Sequence, residues 1–283
     1  MISPDELHSI LSGDWSSSPQ RIVPVAAGRE AALTSFETKH IPGSVYDSSL
    51  FFNMDKICDT ASPYPLMLPT PSHFASCMAN LGIRPDDILV IFDTLEAGMY
   101  FSARAAWIFR YFGHTNAHVL NNFPNYVDGG YPVSGGKLMA LEGERKRYPS
   151  REPARPEDAL TFEELNALLL SARNGALQYQ ILDSRPATLF SGAGHMPFAL
   201  NIPLGSMLDE KRALLPAPRL RALFEEKGVD ETLPAILSCN SGTTAATLGL
   251  ALQVSGYNIR TRIYDGSWSE WSTRADEYMI LLG

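Results

Sequence analysis

The sequence predicts an α/β fold made of two tandem copies of one unit, each a mainly parallel sheet with helices on both faces. Three observations predict it. Short continuous apolar runs, such as Ile88-Leu89-Val90-Ile91-Phe92 and Ala235-Ile236-Leu237, read as strands buried on both faces. Those runs alternate with segments of helical periodicity, the pattern of strand–helix–strand units. The two halves also repeat each other. His40-Ile41-Pro42 matches His195-Met196-Pro197, and Leu81-Gly82-Ile83 before Ile88 matches Lys227-Gly228-Val229 before Ala235. The segment closed by Gly113 matches the one closed by Gly256, and Leu120-Asn121-Asn122 matches Tyr264-Asp265-Gly266. Residues 1–134 are read as the first domain, 135–160 as a linker and 161–283 as the second domain.

In chain order, Ser3 with Glu6 at capping-box spacing starts a helix to about Leu11. Ile22–Ala26 is the first strand, and Glu30–Thr38 a helix. Lys39–Tyr46 is a turn feeding a short strand, and Asp55–Pro69 a long ordered loop. Ser72–Leu81 is a helix that Gly82 terminates. Ile88–Phe92 is a strand, Asp93–Tyr100 a loop, and Ser102–Phe112 a helix. Ala117–Leu120 is the next strand. Pro149, Pro153 and Pro156 among Lys, Arg and Glu mark an extended linker. Thr161 with Glu164 starts a helix to about Ala172, and Tyr179–Asp183 is a strand. The segment from Gly194 to Pro203 mirrors the earlier His-Ile-Pro turn. Ala217–Lys227 is a helix. The strand before Cys239 leads through a small-residue loop into a helix over Ala245–Val254, and Arg262–Tyr264 is the last strand.

Of 283 residues, 45% are hydrophobic, enough for two cores. The net charge of −8 argues against nucleic acid and anionic membrane surfaces as partners. Three cysteines, Cys58, Cys77 and Cys239, have neither disulfide-framework nor metal-ligand spacing, so no metal is expected. The N-terminal residues carry Asp5 and Glu6, unlike a signal peptide or basic transit helix. No stretch has the length and apolarity of a membrane span. The expectation is a soluble, cytoplasmic protein, with a mitochondrial address as the alternative.

The chemistry concentrates at Ser238-Cys239-Asn240-Ser241-Gly242-Thr243-Thr244. A cysteine at the turn between strand and helix faces the loop N–H groups and the helix N-terminus. Both stabilise an anion, which favours the thiolate, the reactive form. The bland alternative is a buried, inert thiol. In parallel sheets ligands sit beyond the carboxyl ends of the strands, where Cys239 and its repeat counterpart Asp93 both fall. One copy holds a nucleophile and the other an acid, so one working site is expected.

These residues, together with Lys39-His40-Ile41-Pro42-Gly43-Ser44, Asp59 through Pro69, Leu182-Asp183-Ser184-Arg185, Gly194-His195-Met196-Pro197 and Tyr264-Asp265-Gly266-Ser267-Trp268-Ser269-Glu270-Trp271, make the chain resemble the tandem-domain rhodanese / 3-mercaptopyruvate sulfurtransferase family along nearly its whole length. The resemblance implies a silent first domain and a second domain whose Cys239 carries sulfur as a persulfide, with no cofactor. It implies a small sulfur donor, and an acceptor that is cyanide or a thiol, thioredoxin or another sulfur-accepting protein among them. Asn240, Gly242, Thr243 and Thr244 would hold the substrate sulfur, and Ser241 would assist proton transfer. Asp55, Arg185 and Trp268 are the further substrate-binding candidates. Neutral Asn240 and Ser241 make the loop look more like the mercaptopyruvate type than the thiosulfate type. Two departures stand out. Leu66 and Leu189 occupy positions where the mercaptopyruvate type carries a histidine and a carboxylate-gripping arginine. They motivate a second reading, a sulfur-relay or regulatory module fed by a protein persulfide. A phosphatase of similar fold is disfavoured, because Thr244 closes a six-residue loop without an arginine.

Competing structural roles accompany several of these residues. Arg185 with Asp183 reads first as a charge pair holding the scaffold. His40 and His195 read as structural because both copies have them. Asp55 is either a pocket wall or a loop hydrogen-bonder, Trp271 either lines the pocket or packs behind the loop, and Arg104 reads as a helix-surface or domain-interface residue.

Overall fold

Short apolar runs bounded by Gly, Pro and polar residues hide both faces only in a parallel sheet flanked by helices. The structure, a computed structural model, describes residues 1–13, 20–42, 50–137, 147–172 and 178–282. The chain divides into two units: Met1–Thr60, Leu68–Arg155 and Glu210–Ala213 form the first, and Ala61–Met67, Pro156–Asp209 and Leu214–Gly283 the second.

In the first unit the elements run α1 (Pro4–Leu11), β1 (Ile22–Gly28), α2 (Leu33–Thr38), β2 (Leu50–Asn53), α3 (Met54–Ile57), α4 (Pro71–Leu81), β3 (Ile88–Phe92), α5 (Ser102–Tyr111), β4 (Ala117–Val119) and α6 (Phe123–Asp128). The strands pair in the order β2-β1-β3-β4, all parallel. The capping box at Ser3 and Glu6 forms as expected, and Gly82 ends α4 at φ +75°. The core gathers Phe36, Phe92, Phe123 and Tyr126.

In the second unit they run β5 (Ala159–Leu160), α7 (Phe162–Ala172), β6 (Gln180–Asp183), α8 (Ala187–Gly192), β7 (Ala199–Asn201), α9 (Ala217–Glu226), β8 (Ala235–Ser238), α10 (Thr243–Val254), β9 (Thr261–Tyr264) and α11 (Ser267–Arg274). The parallel order is β7-β6-β8-β9-β5. The sequence β7-β6-β8-β9 repeats β2-β1-β3-β4, with β5 added at the edge. The repeat extends to the histidine turns. His40 bridges Ser134 and His195 bridges Leu281, each antiparallel.

The structure departs from the sequence reading in several places. Asp55 begins no loop but sits in α3, because Asn53 caps that turn by accepting the Asp55 N–H. Helices α8 and α11 and strands β5 and β7 were not expected. Helix α10 starts two residues early, since Gly242 at φ +73° is its N-cap. Arg104 is fully buried, with its guanidinium 4.5 Å from the Trp107 ring, so it is no surface residue. Of the linker stretch, Gly136 N–H bonds Glu37 O and Ala154 N–H bonds Tyr111 O, while Tyr148 is buried against Phe74. The short strand at Val45-Tyr46 lies outside the described residues.

Candidate active site

Strand β8 lies between β6 and β9, so the residue at its carboxyl end emerges at the centre of the sheet edge. That residue is Cys239. Chain polarity sets the geometry there. The loop turns immediately, Gly242 adopts a left-handed φ of +73°, and α10 begins with no side-chain cap on its first turn. An uncapped N-terminus leaves backbone N–H groups directed at whatever anion occupies the turn. Ser241 N–H already donates to Cys239 Sγ at 3.4 Å. The thiol is buried, 2% exposed. Ser241 and Thr243 hydroxyls lie 3.2 Å apart, and Thr244 Oγ1 is 2.7 Å from Ser184 Oγ. Ser184 follows β6, and its N–H bonds Ser238 O, which ties the two strand ends together.

The equivalent point in the first unit is built differently. Asp93 follows β3, and its carboxylate accepts the Phe101 N–H at 2.6 Å and the Ser102 N–H at 3.0 Å. An internal carboxylate thus occupies the N-terminus of α5. Burial pushes Asp93 up to about 6, against the pull of those N–H groups. The first unit's helix terminus is filled by its own acid, whereas no side chain caps that of α10 in the second.

Arg185 and Asp183 form a buried bidentate pair. Arg185 Nε reaches Asp183 Oδ2 at 2.9 Å and Nη2 reaches the same oxygen at 2.9 Å. Arg185 N–H and Nη2 also bond Asp183 Oδ1 and Gly194 O. The guanidinium lies 4.2 Å from the Trp268 ring centroid. Burial pushes the Asp183 carboxyl above its ordinary value while Arg185 draws it down. Arg185 Nη1 makes no hydrogen bond among the described atoms. Most of the guanidinium therefore serves the scaffold, and one nitrogen remains.

Trp268 is 7% exposed, and its backbone N–H donates to Cys239 O at 3.0 Å. It packs beside the loop. Trp271 is wholly buried against Phe162 and Tyr264, the packing role of its two readings. Gly266 is the N-cap of α11, and an added Cβ there would lie 2.0 Å from Glu270 Oε2 and 2.6 Å from Glu270 Cβ, so only glycine fits. Glu270 pairs with Arg274 at 2.6 Å.

Asp55 belongs to the first unit. Its carboxylate pairs with Arg29 Nε at 2.7 Å and accepts the Glu30 N–H at 2.9 Å. Leu66 belongs to the second unit through the segment Ala61–Met67, is buried, and has φ +61°. In that segment Tyr64 OH accepts from Thr273 Oγ1 at 3.3 Å. Leu189 is 51% exposed on α8, a helix without a charged residue. Among the described residues no group of three or more His, Cys, Asp or Glu could hold a metal ion, and no helix is long and apolar enough to cross a membrane. Sequence reasoning missed Ser184, Ser267 and Ser269 as loop partners. The Asp-Ser-Arg and Asp-Gly-Ser-Trp segments containing Ser184 and Ser267 were the available signal.

Residues 166–274 match the rhodanese-like domain. The chain is 33% identical to thiosulfate sulfurtransferase of Gallus gallus, over 94% of this chain and 94% of that protein. It is 31% identical to 3-mercaptopyruvate sulfurtransferase of Homo sapiens, over 97% of this chain and 95% of that protein. The crystal structure of Tum1 protein from Saccharomyces cerevisiae superimposes with a TM-score of 0.88 at 30% identity, covering 100% of this chain and 97% of that one.

Proposed function

The chain belongs to the tandem rhodanese family of thiosulfate and 3-mercaptopyruvate sulfurtransferases and is itself a sulfurtransferase, and from that premise we propose that Cys239 carries the sulfur as a persulfide, taken from a 3-mercaptopyruvate-like donor in preference to thiosulfate. One observation carries the reading: Cys239 Sγ sits at the uncapped N-terminus of α10 and already accepts a loop N–H, in a loop of neutral side chains.

The thiolate of Cys239 attacks the donor sulfur. The carbon–sulfur bond breaks, and its electron pair leaves with the carbon as the enolate of a 2-oxo acid. The outer sulfur carries the donor's thiol proton, and the Ser241–Thr243 hydroxyl pair relays that proton to the enolate carbon, so that the 2-oxo acid leaves neutralised at carbon and the persulfide is left as its anion. The outer persulfide sulfur lies where the loop amides and the α10 N-terminus spread its negative charge. An acceptor thiolate or cyanide then attacks that sulfur, the sulfur–sulfur bond breaks, and the Cys239 thiolate is restored. Two half-reactions through a covalent intermediate give ping-pong kinetics. Asn240, Gly242, Thr243 and Thr244 cradle the transferred sulfur. Trp268, whose backbone N–H holds Cys239 O, and Arg185, stacked on Trp268, are the further substrate-binding residues of this reading.

A second reading has its own support. Half-exposed Leu189, on the uncharged helix α8, offers no guanidinium to a carboxylate. That favours a bulkier or less charged donor, a protein persulfide included, with the sulfur passed to a thiol protein such as thioredoxin. Turnover with mercaptopyruvate and cyanide in the absence of any partner protein tests the choice. Robust turnover supports the small-donor reading, and turnover only with a persulfidated protein replaces it with the relay. Cys239-dependent hydrolysis of a phenyl phosphate would overturn both.

A further inference from the structure

We propose that the first turn of α11 is the device that aims the sulfur-binding amides, and that Ser267 and Ser269 are its positioning residues. The proposal rests on Cys239 being the sulfur carrier. A trans peptide holds its C=O and the following N–H antiparallel, so fixing one fixes the other. Trp268 N–H takes Cys239 O at 3.0 Å, which turns the Asn240 N–H away from α11. Asn240 O is held twice, by Ser269 N–H at 2.9 Å and by Ser269 Oγ at 2.7 Å. That grip turns the Ser241 N–H the opposite way, and this is the N–H found on Cys239 Sγ.

Ser267 anchors the other end of the turn. It is fully buried, and its hydroxyl donates to Tyr264 O at 2.8 Å and accepts the Cys239 N–H at 3.2 Å. It does so at φ +49°, a conformation a residue with a Cβ rarely adopts. The strained residue thus joins the end of β9 to the end of β8 at the nucleophile itself. A carbonyl that accepts two hydrogen bonds also polarises its peptide, which strengthens the N–H on the far side. The turn therefore both orients and sharpens the donor that faces sulfur.

The segments that meet at the loop carry Asp183 and Arg185 at the end of β6, Asp265 after β9, and Glu270 and Arg274 on α11. None is altered by the test. Ser269→Ala removes one of the two bonds to Asn240 O at a partly exposed site. Ser267→Gly removes the buried hydroxyl while tolerating the positive φ, and Ser269→Thr keeps the hydroxyl. The pH profile of iodoacetamide alkylation of Cys239 is read on the full chain, beside kcat and KM for persulfide formation from mercaptopyruvate. Ser269→Ala is expected to move the alkylation profile up by about half a pH unit, ~3-fold in thiolate population, and to lower kcat with KM unchanged. Ser267→Gly is expected to shift it further, and Ser269→Thr to restore the wild-type profile. A wild-type profile in both Ser269→Ala and Ser267→Gly overturns the proposal, as does a Thr variant that behaves like the Ala one. Because alkylation needs no donor, failure here is distinguishable from failure of the sulfur-carrier reading, which would leave the wild-type protein without a persulfide.

Discussion

Replacing Asp183 by Asn separates scaffold from substrate contact at the Asp183–Arg185 pair. The substitution keeps the shape and removes the charge that faces a guanidinium buried to 2% exposure. Arg185 Nε and Nη2 each lie 2.9 Å from Asp183 Oδ2, and the Arg185 N–H lies 2.8 Å from Oδ1. Breaking a buried pair from one side leaves the other charge uncompensated and costs about 3–5 kcal/mol. With a urea dependence of ~2 kcal/mol per molar, the midpoint for the second unit falls by roughly 2 M. Hydrogen exchange in peptides covering β6 and β8, followed across a urea series, reads that unit separately from the first. The paired variant Asp183→Leu with Arg185→Met should recover most of the loss, because no buried charge then stands alone. A loss below about 1 kcal/mol for Asp183→Asn, with kcat/KM collapsing while stability holds, would refute the scaffold assignment and make Arg185 a substrate group.

Other perturbations follow from the same geometry. Asp93 has its folded pKa raised to about 6, so the folded first unit favours the protonated form. Stability from this group is full below the unfolded carboxylate value near pH 4, declines as pH rises to 6, and is flat above, a change of about 3 kcal/mol; the difference between wild type and Asp93→Asn in pH-dependent chemical denaturation should show that limb. Gly98→Ala places a Cβ 2.3 Å from Arg212 Cβ and 2.8 Å from Arg212 O at φ +72°, so the first unit should lose at least about 1–2 kcal/mol from backbone strain alone, measured by its thermal midpoint. Leu189→Arg supplies a guanidinium on α8 and should raise kcat/KM for mercaptopyruvate by ~10-fold relative to an uncharged persulfide donor; an unchanged ratio would remove Leu189 from the account of donor choice.

The strand–loop–helix around Cys239 was legible because its signals are local: an apolar run, a cysteine, small residues and a helical pattern. The repeat made Asp93 legible as the counterpart. Helix α8 was not, since its six residues bury no side chain and so carry no apolar stripe. Helix α11 was hidden because Gly266 offers no capping side chain and Ser267 starts the helix at positive φ. Strand β5 is two residues long and recognisable only by its pairing with β9. Non-local packing was the hardest part. Ala61–Met67 joins the second unit and Glu210–Ala213 the first, and Gly98 meets Arg212 across more than a hundred positions of sequence. Of the two readings of Arg104, burial removes the helix-surface one: a charged residue in a helix is normally solvated, and here the side chain is fully buried with its guanidinium over Trp107.

The central claim, that Cys239 carries the transferred sulfur, is tested most directly by intact-protein and peptide mass spectrometry after incubation with mercaptopyruvate, with Cys239→Ser as the blank. The account predicts one added sulfur atom on the Cys239 peptide of the wild-type chain, none on the blank, and its loss on addition of cyanide or a small thiol. Sulfur added to Cys58 or Cys77 instead, or equal labelling of the Cys239→Ser chain, would contradict it.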